Sequence, residues 1–308
     1  MATHRLGAYS WHHRWVRHVL SQVKGPRRPC PQGSKSKQKQ GTGNPGAFFN
    51  WIDNAVMELL IVSVASLFAG FVDAIVGGGG LILIPALFAT FPNAHPATLF
   101  GTNKGASVCG TAMASWQYSR QVRMRWAALL PAAGAGLLAS FAGAWLVTVI
   151  SPDFLRKLLP FVLLLVLLYT LAKKELGRTH APSYSGLQEQ LIAAGIGAMI
   201  GFYDGFFGPG TGSFLVFLFV RLLGYDFLSA SAAAKLVNTA TNLSALALFI
   251  AKGHIWWHFV LAMALANVLG SLLGTRLALK HGTGFVRIVF LLVVSALILK
   301  TGYDAFLR

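Results

Sequence analysis

Two carboxylates and two ammonium groups stand inside long apolar stretches, where ionised side chains are expensive. Asp73 and Lys104 lie in the first half of the chain, Asp204 and Lys235 in the second. A charge at the centre of an apolar segment costs roughly 2.5 to 3.5 kcal/mol on insertion scales, so a functional role is its default reading. Each aspartate is followed, four residues on, by a glycine-rich run: Gly77-Gly78-Gly79-Gly80 after Asp73, Gly208-Pro209-Gly210 after Asp204. The chemistry on offer is fixed positive charge for an anion, with carboxylates that orient the lysines or accept protons. The competing reading is a structural Asp-Lys ion pair within each half.

The glycine runs must interrupt the segments that carry them. Glycine costs roughly 1 kcal/mol relative to alanine in a helix interior, and Pro209 lacks a backbone donor. Broken backbone at membrane depth is tolerated only where it is buried in protein or lines a wet cavity. A helix restarting after such a break presents N–H groups and the positive end of its dipole, which favour anions. Gly78, Gly79, Gly80, Gly208 and Gly210 are therefore candidate binding positions. Around the lysines the chain is unusually polar for an apolar segment, with Thr102, Asn103 and Ser107 in the first half and Asn238, Thr239, Thr241 and Asn242 in the second. Of these, Thr102, Asn103, Asn238 and Asn242 join the candidate ligands. Hydroxyls and amides also tie helices together, which is the competing use.

The two halves are copies. Asp204 lies 131 residues beyond Asp73, and the same offset without a gap places Lys104 on Lys235, Trp126 on Trp257, Gly143 on Gly274, Phe154 on Phe285 and Arg156 on Arg287.

Composition settles the class that contains these copies. Hydrophobic residues are 55% of the chain and charged residues 11%, against about 25% charged in soluble domains. This is an all-α polytopic membrane protein with lipid as its surroundings. The net charge of +17 is uneven: residues 1 to 46 hold nine Lys and Arg and no acid, which leaves 17 basic against 9 acidic residues elsewhere. That is the excess a multi-span protein uses for orientation, and no nucleic-acid partner is expected. Cys30 and Cys109 show no metal-ligand spacing.

Residues 1 to 46 read as a disordered basic tail, with Met57 as an alternative start. Roughly 20 apolar residues cross the hydrocarbon core, and eight apolar blocks appear, at about 55 to 91, 97 to 118, 127 to 150, 155 to 173, 190 to 224, 227 to 251, 257 to 279 and 285 to 303. They divide into membrane repeat 47 to 173, a polar linker at 174 to 189 and membrane repeat 190 to 308, each a four-helix unit with a glycine-broken first helix. An even number of crossings per unit gives parallel repeats, an odd number inverted ones; a re-entrant first block would flip the parity, and the sequence leaves both open. Arg120, Arg123 and Arg125, Lys173, Lys174 and Arg178, and the basic tail place these loops and both termini in the cytoplasm, with Arg156 and Lys157 dissenting. Trp116, Trp126, Trp256 and Trp257 fall at block ends as interfacial anchors.

No catalytic constellation is present. The late histidines stand at block ends without ligand spacing, no nucleophile elbow occurs, and no Gly-Lys-Ser/Thr follows either glycine run. An enzyme, a metal centre and a cofactor are not expected.

The motifs taken together resemble a known family. Gly-Phe-Val-Asp-Ala-Ile-Val-Gly-Gly-Gly-Gly-Leu with Pro85, the Leu-Phe-Gly-Thr-Asn-Lys run ending at Lys104, Gly-Phe-Tyr-Asp-Gly-Phe-Phe-Gly-Pro-Gly-Thr-Gly-Ser at 201 to 213 and Ala-Lys-Leu-Val-Asn-Thr-Ala-Thr-Asn at 234 to 242 look like the TauE/SafE sulfite-exporter family in its YfcA-like branch, over about residues 55 to 305. The resemblance implies a secondary carrier of the bacterial inner membrane for small sulfur-containing anions such as sulfite and organosulfonates. The residues themselves suggest a site where the two broken segments meet, in a carrier that is either proton-coupled or facilitated. A membrane scaffold without transport is the alternative, and it requires a dry, packed interior at the four charged residues.

Overall fold

Helices begin and end where the residue chemistry says they must. The computed structural model describes residues 45–155, 158, 161 and 184–306. Residues 1 to 44 of the expected tail, most of the fourth block and most of the linker lie outside the described residues. Helix α1 (Pro45–Val76) stops where Gly77 takes φ of 80°, a conformation that side chains bearing a Cβ resist. Helix α2 (Gly80–Thr90) follows, then α3 (Pro96–Gln121), α4 (Trp126–Val149), α5 (Gly186–Phe206), α6 (Thr211–Leu223), α7 (Phe227–Ala251) and α8 (Trp257–Phe306), the last broken at Gly282. No strand occurs among the described residues. His95 caps α3 by accepting the Ala97 N–H at 3.2 Å, with Pro96 at the first helical position. At the equivalent place Asp226 caps α7, accepting from Leu228 and Ser229. Helices α2 and α6 start at residues 80 and 211, α3 and α7 at 96 and 227, α4 and α8 at 126 and 257. Every pair repeats the 131-residue offset seen in the sequence.

Among the described residues, four segments are long and apolar enough to cross a membrane: Ala55–Val76, Trp126–Val149, Phe227–Ala251 and Trp257–Gly282. Leu130, Leu138 and Phe141 on α4, with Leu261, Leu265, Leu269 and Leu273 on α8, are exposed apolar side chains suited to lipid. Helix α3 is 26 residues long, enough to span, yet carries Asn103, Lys104 and Arg120. It can be polar because protein encloses it; Leu99 to Ala106 are all buried.

Helix α2 does not continue across. It has 11 residues, roughly 16 Å at 1.5 Å per residue, and it folds back along α1. Leu83 and Leu87 pack with Val62 and Ala69. At its end Phe91 meets Trp256 and Phe259, with ring centroids 5.1 and 4.9 Å apart. The first block is therefore a re-entrant pair, the alternative that the sequence left open.

Contacts fix the relative directions. Ser66 donates to the Met263 carbonyl and Ser271 to the Gly70 carbonyl, so α1 and α8 run parallel. Along α3, Gly101 approaches His254, Gly105 approaches Val260 and Gly110 approaches Asn267, so α3 runs with them. On the other side Gly197 abuts Ala132 and Gly205 abuts Ser140, making α4 parallel to α5. Helices α3 and α7 are antiparallel, because Gly101 lies against Phe249 whereas Lys104 reaches back to Asn242. Repeat-equivalent helices with opposite directions make the repeats inverted, the odd-parity outcome.

The repeats also exchange partners. Helix α1 of the first packs on α8 of the second, and α5 of the second on α4 of the first. Gly70 faces the Asn267 backbone; its equivalent Gly201 faces Gly136, the equivalent of Asn267. A Cβ at either glycine would strike the opposing backbone, so small residues set the helix spacing. Asn267 Nδ2 donates to the Ser66 carbonyl at 3.0 Å, and Ser140 Oγ to the Thr241 carbonyl at 2.8 Å. Such bonds contribute roughly 0.6 to 2 kcal/mol each in a membrane.

Tyr118, near the end of α3, donates to the carbonyl of Ala74, near the end of α1. The loop carrying Arg123 and Arg125 thus lies at the end where α1 stops. The re-entrant pair adds a reversal that counting apolar blocks does not register.

Candidate functional site

The two glycine breaks meet. The Ser213 N–H donates to the Gly77 carbonyl at 3.1 Å, and Ser213 Oγ to the Val76 carbonyl at 3.0 Å. A Cβ on Gly77 would collide with the Gly212 backbone. At the start of α6, then, one N–H is taken by the opposite break rather than left for a ligand. Gly79 N–H donates to Asp73 Oδ1 at 3.3 Å, which ties the first break to its own aspartate.

The lysines reach across the repeats. Lys104 Nζ lies 2.7 Å from Asp204 Oδ2, and Lys235 Nζ lies 2.8 Å from Asp73 Oδ2. The ion pairs expected within each unit are therefore crosswise. Each lysine is eight residues into its helix, about 12 Å along the axis, where the opposite repeat's break, not its own, presents a carboxylate. All four groups are buried, Lys235 completely. Unpaired burial of such charges is prohibitive, and breaking one pair leaves a stranded charge worth roughly 3 to 5 kcal/mol.

The pairs differ in detail. Lys235 makes a directed hydrogen bond to Asp73, whose other oxygen is held by Gly79. Lys104 donates to Asn242 Oδ1 at 2.9 Å and also stands 2.7 Å from Asp204 Oδ2, so its ammonium is shared between two partners. Lys104 lines a polar cavity of about 20 Å³ together with Asp73, Asp204, Asn103, Asn238 and Asn242, and Lys235 does not. The expectation that both lysines face one cavity is corrected: Lys235 is enclosed by its partner and by the helices around the first break. Gly80 and Gly208 also line the cavity, whereas Gly78, Gly79 and Gly210 do not. Gly210 serves as the left-handed cap of α6. Thr102 is spent elsewhere, its hydroxyl accepting the Trp256 N–H at 3.1 Å.

Ser107, noted in the sequence as polar but not singled out, Thr111, Thr211, Gly77 and Gly212 complete the lining. The signal for the first two was present. Lys104, Ser107 and Thr111 stand at i, i+3 and i+7, one helix face, and the offset maps them onto Lys235, Asn238 and Asn242.

Both ends of the bundle have their own ties. Arg125 donates to Glu189 through Nε at 2.5 Å and a terminal nitrogen at 2.6 Å, and Tyr225 donates to the same carboxylate at 2.7 Å. Those contacts hold Arg125 above its ordinary value, the Glu189 hydrogen bond first, and burial pushes the Tyr225 phenol up. At the other end the His95 and His254 rings stack 5.0 Å apart. Trp116, Trp126 and Trp257 are exposed as anchors should be, but Trp256 packs against Phe91 and Phe259.

The sequence comparisons agree on one family. The model described as "Sulfite exporter TauE/SafE" matches residues 62–301. A "Probable membrane transporter protein ORF9" of Sinorhizobium is 35% identical over 80% of this chain and 94% of its own. "Probable membrane transporter protein YfcA" of Escherichia coli K12 is 35% identical over 80% of this chain and 90% of its own. A "Probable membrane transporter protein" of Haemophilus influenzae is 35% identical over 82% and 98%. No solved structure matches. With an inverted pair of broken-helix repeats and a family model spanning most of the membrane part, this chain is a multi-pass membrane protein that belongs to the TauE/SafE sulfite exporter family.

Proposed function

We propose that the protein is a secondary carrier of the bacterial inner membrane. It moves a small anion of the sulfite or organosulfonate type through the point where the two breaks meet, with protons as the coupling ion. The observation that carries this reading is Lys104, a buried ammonium that lines a polar cavity between inverted repeats. Inverted repeats with discontinuous helices at their interface are the architecture in which two halves rock about a central site.

The charges suggest how the cycle works. Two lysines and two aspartates sum to zero, so an anion entering as a bare charge leaves the centre negative. It must take Lys104 from Asp204, and a proton on the released carboxylate restores neutrality. The cavity of about 20 Å³ has room for a water molecule and is too small for an organosulfonate, so transport requires a wider state in which the breaks separate. A non-transporting scaffold gains nothing from a polar cavity at this depth.

The test is uptake into proteoliposomes of sulfite, sulfoacetate, sulfate and acetate, with and without an inward proton gradient. Gradient-stimulated uptake of sulfite or sulfoacetate supports the reading. Absence of flux for every anion, from protein shown to be folded, rejects it.

A further inference from the structure

The chain is duplicated, but its central site is one-sided. Asn103 has Ala234 as its repeat equivalent, and Lys104, which lines the cavity, has the wholly enclosed Lys235. Asn103 also lines the cavity, is only 3% exposed, and its side-chain oxygen has no hydrogen-bond partner. Leaving a buried acceptor unmade costs roughly 1 to 3 kcal/mol, and such a group calls for a specific explanation.

An ammonium and an open acceptor on consecutive residues of one cavity wall form a complementary pair. The ammonium wants anionic oxygen; the acceptor wants a donated hydrogen. Asp73 and Asp204 face the same space, so a dianion meets two carboxylates there, while a singly charged ion that keeps a proton meets less repulsion and brings the missing donor. Resting on the carrier reading above, we propose that the site selects an oxyanion bearing one acidic O–H. Its charged oxygens meet Lys104 Nζ, its O–H donates to Asn103 Oδ1, and Lys235, held by Asp73, stays out of contact with the ion.

The experiment uses two probes of equal charge, hydrogensulfite and methanesulfonate, the second lacking the O–H. Flux of each is measured in proteoliposomes at a mildly acid pH equal on both sides, for the wild type and for Asn103→Ala, which copies the residue at the equivalent position. The wild type should prefer hydrogensulfite by about tenfold or more, the ratio that a net hydrogen bond of about 1.4 kcal/mol gives. Asn103→Ala should lose that preference while still moving methanesulfonate. Equal wild-type flux for both ions overturns the proposal whatever the variant does, and so does an unchanged preference in a folded Asn103→Ala. Flux of neither ion in the wild type defeats the carrier reading itself, a distinguishable result.

Discussion

The Lys104–Asp204 and Lys235–Asp73 pairs are equivalents under the repeat, and they differ in what surrounds them. Asp73 is held by both a lysine and a backbone N–H at its own break, and its lysine is sealed off. Asp204 pairs with a lysine that borders a cavity and is shared with Asn242. Duplication supplied the same residues twice, and the divergence of their neighbours, Asn103 against Ala234 above all, divided the work. In the proposed carrier one pair opens and the other stays shut.

The largest expected effect follows from that division. Lys104→Met retains the apolar stem and removes the charge. At an effective dielectric near 20 a unit charge pair at 4 Å is worth about 4 kcal/mol before desolvation, so anion flux should fall by about a hundredfold or more while the protein still inserts. Lys235→Met should act on folding instead. It strands Asp73 at the break, with an expected loss of roughly 3 to 5 kcal/mol, and Asp73→Asn in the same chain should restore most of the melting temperature. If Lys235→Met abolishes flux at unchanged stability, the two pairs do the same job and the contrast fails.

A smaller effect probes the meeting of the breaks. Gly77→Ala places a Cβ against Gly212 at φ of 80°. Strain of this kind costs roughly 1 to 3 kcal/mol, with the collision added. Gly195, where a Cβ would meet nothing, is the control, and equal tolerance at both sites in a thermal-stability assay would argue against close contact of the breaks.

The smallest effect concerns the histidine end. His254 is partly buried beside Thr98, His95 and Lys252, and burial, then His95, then Lys252 lower its pKa from 6.5. A base whose folded value is depressed contributes stability above the unfolded value, and that contribution declines as pH falls through the folded value. Wild-type stability should therefore drop on acidification below about 6.5, and His254→Gln should flatten the drop. An identical acid profile for the variant would remove His254 from the account.

Much of this was legible in the chain. The 131-residue offset predicted equivalent helices, and Gly77 to Gly80 predicted the break because four glycines cannot hold a helix. The offset could not say which copies touch. It relates Lys104 to Lys235 by symmetry, whereas contact depends on the direction of each repeat, and that turned on whether an 11-residue helix folds back. Leu83 and Leu87 against Val62 decide it, through packing that apolar residues alone do not announce. Thr111 went unnoticed because one hydroxyl in an apolar helix has many uses, and only its place on the Lys104 face gives it meaning.

The central claim is that the charged pairs cross between inverted repeats, with only the Lys104 pair serving transport. Melting temperature and sulfite flux of Lys104→Met combined with either Asp204→Asn or Asp73→Asn test it directly. The Asp204→Asn combination should regain the stability lost in Lys104→Met and remain without flux, while the Asp73→Asn combination, which leaves both Asp204 and Lys235 unpaired, should be less stable than either single variant. Stability recovered by Asp73→Asn, or full flux in Lys104→Met/Asp204→Asn, would contradict the account.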